Sequence, residues 1–468
     1  MNLKEWEKKK ILILGFGREG QATYKFLHKN CAGVALTIAD RRTWDEFSLE
    51  EKDILNQTGV KPLLGEEYLK NLEEFDLIVK SPGITPRLPE IQKAIKAGVE
   101  MSSATRIFFS LKKGQVVAVT GSKGKSTTAS MIEAMLKAGG LKAQLIGNIG
   151  RAALDFLAED VAEKIYVFEM SSYQLEDFEG GAEVAVLVSF FPEHLDYHGS
   201  LEAYFQAKMK LIGYPKPGQA IVYNAGNSTL ETYLQDHQKE LVTAGAKIMP
   251  FNDGKMSRVE EKNSELMAKD GDNTIVREKE IKLKGRHNLE NILAVVEVAK
   301  LFHVSMETLQ KALREFEPLE HRLELVGIHK DITFYNDAIS TTPESTIAAI
   351  ETLARIQPVS TLIAGGMDRG YQFSTLAEKI IEAGIKNLIL LPETGEKIAE
   401  AVKAICKEKG HHPPLIIFAS DLKVCVDRAF ELSPAGSICL LSCASPSYNL
   451  FKNFEDRGKQ FKEAVRKN

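Results

Sequence analysis

The residues best suited to chemistry lie in "VAVTGSKGKSTTAS" (117–130), where Gly121, Ser122, Lys123, Gly124, Lys125, Ser126 and Thr127 join an apolar run to a helix-like segment. A glycine-rich turn that feeds a helix offers backbone N–H groups and the positive end of the helix dipole to phosphate oxygens. In that setting Lys125 would meet the β- and γ-phosphates of a nucleotide, and Ser126 would ligate Mg2+. The usual phosphate-loop pattern also asks for a glycine five positions before Gly124, and this chain has Val119 there. The loop is therefore a shortened one. A Gly-Lys-Ser at a helix start is also common by chance, so the loop alone does not define an ATP site.

Further groups fall behind that loop in the sequence. "YVFEMSSYQLE" places Glu169 at the end of a buried strand. An unpaired carboxylate is costly to bury, and a metal ion is a reasonable partner for it. "SFFPEHLDYHGSLEAYFQAK" follows the next strand and puts Glu193, His194, Asp196 and His198 in one loop. One such histidine is usually an ordinary polar loop residue. Acid and histidine groups at two strand ends behind a phosphate loop are harder to dismiss. Lys208, on the helix-like "LEAYFQAKMKLI", reads in isolation as a solvated lysine.

A second centre lies near the start. "ILILGFGREGQATYKFL" carries Gly15-x-Gly17-x-x-Gly20 after a strand and into a helix, and Asp40 ends the next strand 20 residues beyond Gly20. That context is the dinucleotide fingerprint: a tight turn, a close approach to a diphosphate and an acid for ribose hydroxyls. NAD or FAD would satisfy it. So would a UDP-sugar, which has the same diphosphate and ribose, and so would a glycine-tight turn with no ligand.

The elements that must position these groups are legible as α/β. Short apolar runs alternate with amphipathic segments almost throughout, which predicts largely parallel sheets. One series contains "ILILG", "VALTIAD" and "FDLIVKSPG"; a second runs through "QVVAVTG", "KAQLIGN", "KIYVFEMSS", "EVAVLVSF" and "QAIVYN". Between about 240 and 285, turn pairs such as "NDG" and "DGDN" predict β-hairpins. A third series starts near 320 with "ITFYND", "STLIAGG", "KNLILL", "LIIFA" and "SICLLS", and the chain ends on an amphipathic helix, "NLFKNFEDRGKQFKEAV". Three α/β domains are predicted: a Rossmann-like one at 1–104, a P-loop-type central ATPase domain with extra β-hairpins at 105–318, and a Rossmann-like one at 319–468.

Composition sets the outer limits. The 468 residues are 44% hydrophobic and 26% charged with a formal net charge of −4, which gives no electrostatic case for nucleic acid. "MNLKEWEKKK" lacks an apolar stretch after its charges, and no apolar run reaches membrane-spanning length. The five cysteines (31, 406, 425, 439 and 443) form no CxxC pair, so incidental thiols in a reducing cytoplasm are expected. A monomer is expected, with no membrane or nucleic-acid partner.

Taken together, GSKGKST, EMSSYQLE, EHLDYH and YFQAK resemble the Mur ligase family, ATP-dependent enzymes that form amide bonds in peptidoglycan precursor synthesis. The shortened loop is that family's normal form. The resemblance implies two Mg2+ ions, one served by Ser126 and Glu169 and the other by Glu169 and His194. It makes Lys208 a carbamylated lysine whose added carboxylate helps to hold Mg2+. "GRHNLENILAVV" resembles the family element that lays Asn288 and Asn291 against adenine. "EHRLELV" and "FYNDAISTTPESTIAAI" imply that Arg322 and Asp337 take up the nucleotide, Asp337 at the ribose hydroxyls.

Within that family the first 100 residues are similar to the glutamate-adding branch. The resemblance implies a UDP-sugar site at Gly15, Phe16, Gly17, Arg18, Glu19, Asp40, Arg42 and Gly83, with Asn148 as a further substrate contact. It implies a glutamate site at Thr341, Arg369, Ser447 and Phe454, the last two within "LLSCASPSYNLFKNFEDRG". The expected reaction adds D-glutamate to UDP-N-acetylmuramoyl-L-alanine through an acyl phosphate, with Lys125, His194 and Lys208 at its centre. Two departures matter: Ile339 and Arg369 stand where the family usually has lysines. Arg369 can still grip a carboxylate bidentately. L-Glutamate as the added amino acid therefore stays open, and more remotely an NAD-dependent oxidoreductase or a non-catalytic UDP-sugar binding protein.

Overall fold

The computed structural model describes residues 3–31, 33–57 and 62–468. The chain forms two compact units, one of residues 1–260, 268–275 and 290–313, the other of residues 261–267, 276–289 and 314–468.

The first unit holds two parallel sheets. Strands β1 (Lys10–Leu14), β2 (Ala35–Asp40), β3 (Leu63–Leu64), β4 (Leu77–Lys80) and β5 (Glu100–Ser102) form the first, in the order β3-β2-β1-β4-β5. Strands β6 (Gln115–Thr120), β7 (Ala143–Gly147), β8 (Ile165–Glu169), β9 (Val184–Leu187), β10 (Ala220–Asn224) and β11 (Lys247–Phe251) form the second, in the order β11-β10-β9-β6-β8-β7. Strands buried on both faces read as continuous apolar runs, and β1 shows why. Ile11 and Ile13 join one core cluster while Leu12 and Leu14 join another, so alternate side chains serve opposite faces. In both sheets the strand order reverses about a central strand, β1 in one and β6 in the other. The crevice beyond the carboxyl end of such a strand is where open α/β sheets bind ligands.

Strands β12 (Ser257–Lys262), β13 (Glu265–Asp270) and β14 (Asn273–Arg277) make a three-stranded sheet in sequence order. The hairpins expected from about 240 thus begin only at 257. The preceding stretch is the end of the helix Ser228–Thr243 and then β11, which pairs parallel to β10. Pro250 lies within β11, and an edge position is where a strand tolerates proline.

The second unit carries the third sheet. Its strands are β15 (Glu324–His329), β16 (Ile332–Asn336), β17 (Val359–Gly366), β18 (Asn387–Glu393), β19 (Leu415–Phe418) and β20 (Ser437–Leu441), in the order β15-β16-β20-β17-β18-β19. Only β15 runs antiparallel. Leu362, Leu388 and Leu440 face one core; Ile363, Ile389 and Leu441 face the other. The terminal helix runs Phe454–Lys467, not from 449. Asn453 caps it by accepting from Asp456 N at 2.8 Å, and the residues before it form a turn in which Phe451 N donates to Ser447 O. All five cysteines are free and buried.

Candidate active site

The register of the second sheet brings three strand ends together. Val119 pairs with Glu169 on β8, and Thr120 pairs with Leu187 on β9. The turn after β6 is the shortened loop, and Gly124 caps the helix Lys125–Ala138 at φ +84°. A Cβ there would fall 2.5 Å from Asn291 Oδ1, so both the conformation and the close approach require glycine. Ser122 Oγ donates to Phe191 O at 2.8 Å and accepts from Phe191 N at 2.9 Å. Lys123 N donates to Ser189 Oγ at 2.9 Å, and its ammonium pairs with Glu193 at 2.6 Å. Lys125 Nζ donates to Ser122 O at 2.8 Å, folded back over the loop. Ser126 and Thr127 are buried in the first helical turn.

Lys208 is not a solvated lysine. It is 2% exposed on the helix Leu201–Met209, and its Nζ donates to Gly121 O at 2.7 Å from above the ring of Tyr204. Among the described residues no carboxylate lies within ion-pair distance of it. Burial, reinforced by the Lys125 charge, drives its amine well below the usual lysine value, with Glu193 and Glu169 opposing.

Glu169 is 1% exposed; Oε1 accepts from Asn148 Nδ2 at 3.3 Å, and Oε2 is buried with no hydrogen-bond partner among the described residues. His194 begins the short helix Leu195–His198 at φ +55°, and its Nδ1 lies 2.9 Å from Tyr173 Oη. Desolvation lowers its pKa, with Lys125 and Lys208 acting the same way and Glu193 opposing. No group of three or more His, Cys, Asp or Glu among the described residues could hold a metal. A divalent ion here would need Glu169 Oε2 completed by hydroxyl, carbamate or phosphate oxygens, and the buried orphan oxygen fits that donor set.

The glycine turn after β1 is built around Asp40. Asp40 Oδ2 accepts from Phe16 N at 2.6 Å and Oδ1 from Arg42 N at 2.9 Å, while the Arg42 guanidinium reaches Asp40, Glu51 and Phe16 O. The carboxylate expected at ribose hydroxyls thus holds the turn itself. Burial raises its pKa, but the bonds from Arg42 and Phe16 leave it below the ordinary aspartate value. Phe16 is fully buried and edge-on to Tyr24, so its side chain packs the core rather than facing a ligand. A Cβ on Gly15, which sits at φ +93°, would fall 2.7 Å from Ser81 Oγ, whereas a Cβ on Gly17 or Gly83 would meet nothing within 4 Å. Arg18 donates to Gly147 O and Asn148 O at 2.8 and 2.9 Å, tying this turn to the end of β7. Glu19 accepts from Gln174 Nε2 at 2.6 Å, and burial raises its pKa.

In the second unit Asp337 and Ser442 follow the paired ends of β16 and β20. Asp337 is 4% exposed; Oδ2 accepts from Ser442 Oγ at 2.8 Å and Oδ1 from Leu323 N at 3.2 Å. Burial pushes its carboxyl up to about 6, against Ser340, Ser442, Leu323 N and Arg322. Met367 N donates to Pro446 O at 2.8 Å, which sets the loop of exposed Arg369 against that of buried Ser447. Phe454 opens the terminal helix, edge-on to His321. Thr341 directly precedes Thr342, the cap of the helix Pro343–Ala354. Asn288 Nδ2 donates to Lys284 O at 2.7 Å.

Several residues outside the sequence reading help to build these sites. Arg457 is fully buried; it donates to Ser445 O at 3.0 Å and Ala338 O at 2.7 Å, joining the Asp337 and Ser447 loops to the terminal helix. Ser189, Tyr204 and Tyr173 brace the phosphate loop and His194. Only their place within "SFFPEH", "YFQAK" and "EMSSYQ" hinted at them.

A shortened phosphate loop at one sheet's switch point and a glycine turn at another's define a nucleotide-using α/β enzyme of the P-loop type. The chain belongs to the Mur ligase family. Residues 9–103 match the MurD-like N-terminal domain, 119–299 the Mur ligase middle domain and 321–444 the Mur ligase glutamate ligase domain. It is 34% identical over 466 residues to the UDP-N-acetylmuramoylalanine–D-glutamate ligase of Ruminiclostridium cellulolyticum, covering 99% of this chain and 97% of that one. The enzyme of the same name from Streptococcus uberis is 33% identical, covering 98% and 97%. Among solved structures, UDP-N-acetylmuramate-alanine ligase MurC from Thermotoga maritima shares the fold at TM-score 0.60 and 18% identity, covering 98% of this chain and 99% of that one. MurF ligase from the same organism, in complex with ADP, matches at TM-score 0.59 and 18% identity, covering 100% and 97%.

Proposed function

We propose that this chain is the glutamate-adding ligase of its family, joining D-glutamate to UDP-N-acetylmuramoyl-L-alanine at the expense of ATP in peptidoglycan precursor synthesis. The geometric observation that carries the reading is the buried Lys208 amine under the phosphate loop, within electrostatic reach of Glu169, whose Oε2 is a buried orphan. Similarity to D-glutamate ligases along nearly the whole chain supports the substrate.

The chain's own residues have distinct tasks in this reading. The backbone of Gly121–Thr127 and the following helix bind the nucleotide phosphates. Lys125 turns from Ser122 O to the γ-phosphate as the alanyl carboxylate attacks it, and balances the charge that develops. The resulting acyl phosphate is then attacked by the glutamate amine, and phosphate leaves. Lys208, whose burial favours the neutral amine, adds to CO2: an N–C bond forms, a proton passes to solvent and a carbamate remains. Ser126, Glu169, His194 and that carbamate would hold two Mg2+ ions. When bound, the metal neutralises phosphate charge as it builds.

The Gly15–Gly20 turn with Arg18, Glu19, Arg42, Gly83 and Asn148 takes the UDP-sugar, and Asp40 acts by fixing that turn. On the family pattern, Asn288, Asn291, Arg322 and Asp337 serve the nucleotide, while Thr341, Arg369, Ser447 and Phe454 serve glutamate. This divides labour among residues 1–104, 105–318 and 319–468. The enzyme works as a cytoplasmic monomer on small molecules; no helix among the described residues is long and apolar enough to cross a membrane. The test is phosphate release with UDP-N-acetylmuramoyl-L-alanine, ATP and Mg2+, comparing D- with L-glutamate. Stimulation by the D-enantiomer is expected. Stimulation by L-glutamate alone would change the substrate, and by neither would sink the assignment.

A further inference from the structure

His194 has two ring nitrogens, and only an unprotonated one can bind a metal. Its Nδ1 is committed to Tyr173 Oη at 2.9 Å. Tyr173 is itself immobilised: Tyr197 packs edge-on at 4.2 Å between ring centres, and the His198 ring lies nearly parallel to it, stacked at 5.7 Å. Tyr197 is pinned in turn, its Oη donating to Pro82 O at 2.8 Å, while Arg87 holds both the Tyr197 carbonyl and the Glu176 carboxylate. His198 is tied elsewhere, its Nε2 3.0 Å from Ser172 Oγ, so the two histidines do not share the Tyr173 hydroxyl.

We infer that Tyr173 is a positioning residue for His194: its hydroxyl oxygen accepts from Nδ1–H, fixing the tautomer in which Nε2 carries the lone pair offered to the metal. The inference rests on the reading of His194 as a metal ligand. Histidine ligands characteristically give their other N–H to such an outer partner, which sets both tautomer and ring angle. A tyrosine hydroxyl suits the task because it accepts a hydrogen bond while remaining neutral at working pH.

The experiment uses the full chain and two readouts besides turnover. Nitrogen-15 NMR of histidine-labelled, metal-free enzyme reports the His194 tautomer, with His194→Ala assigning the signal. Mn2+ titration followed by electron paramagnetic resonance, in the presence of ADP, reports ion affinity. Wild type should show protonated Nδ1 and unprotonated Nε2. Tyr173→Phe keeps the packed ring but should lose that bias and bind Mn2+ about 10-fold more weakly, the lower end of what outer-partner losses cost. A wild-type signal with protonated Nε2, or a Tyr173→Phe variant that binds Mn2+ like wild type while His194→Ala binds it weakly, overturns the inference alone. Unchanged Mn2+ affinity in His194→Ala overturns the ligand reading and the inference with it.

Discussion

Lys208 Nζ donates to the carbonyl of Gly121 at 2.7 Å, so the floor of the phosphate loop is an amine carried by a helix 87 residues further along the chain. Because burial depresses this amine, the folded chain binds its proton less readily than the unfolded chain does. Its contribution to stability therefore rises with pH between that depressed value and the ordinary lysine range near 10.4. The neutral form is the one that reacts with CO2. Enrichment with 13C-labelled CO2 should give one slowly exchanging carbamate NMR signal, absent in Lys208→Met. That variant should lose turnover by about 100-fold or more, the scale for removing a group that stabilises transition-state charge. A labelled signal that survives the substitution would exclude Lys208 as its source.

Lys125 is the cation closest in role to the transferred phosphate, and its ammonium donates to Ser122 O at 2.8 Å within the loop itself. Lys125→Ala should cut phosphate release by about 100- to 1000-fold. UDP-sugar affinity, read by calorimetry, should be unchanged because the glycine turn after β1 is built without Lys125. Intact turnover in the variant would rule out the mechanism.

Asp40 makes a different prediction from the one its position in the fingerprint suggests. It accepts from the backbone of Phe16 and Arg42, so removing it unties the glycine turn from below. Asp40→Ala leaves the buried Phe16 N–H without its partner, at a cost of about 1–3 kcal/mol before relaxation, and frees the half-buried Arg42 N–H as well. UDP-sugar affinity should fall at least about tenfold, and the variant should also melt at lower temperature. If Asp40 touched only ribose, affinity would fall with no change in melting.

Those contrasts show where the sequence was informative. Gly121–Thr127, Glu169 and the Gly15–Gly20 turn were legible because each combines a residue type with a strand-to-helix junction, and short-range pattern fixes both. Relationships that depend on register were not. The Tyr173–His194 contact joins the short helix Ser172–Leu175 to the cap of another, 21 residues apart, and nothing in either segment marks the pairing. Arg457 sits in an amphipathic helix where an arginine ordinarily faces water, and only the loops it grips reveal that it is buried. The terminal helix was drawn too long because Leu450 and Phe451 continue the apolar rhythm through a turn, while the Asn453 cap is the true start signal. Asp40 had the right position for a ribose contact, but its commitment to the turn is a three-dimensional fact.

Asp337 supplies a prediction that separates charge from shape. Its carboxyl is raised from the ordinary 3.8 to about 6, chiefly by burial. Between those values the folded protein holds a proton that the unfolded chain has released, so stability is present at low pH and falls as pH rises through about 6. A shift of about two units corresponds to about 3 kcal/mol. Asp337→Asn has no proton to lose, and its amide can still accept from Leu323 N and donate to Ser442 Oγ. Melting temperatures of both proteins should be compared at pH 5 and pH 7.5. Wild type should lose ground to Asp337→Asn on going to the higher pH, while the variant binds ATP more weakly at both if Asp337 takes the ribose hydroxyls. An equal gap in melting temperature at the two pH values would mean that Asp337 titrates alike in the folded and unfolded chains.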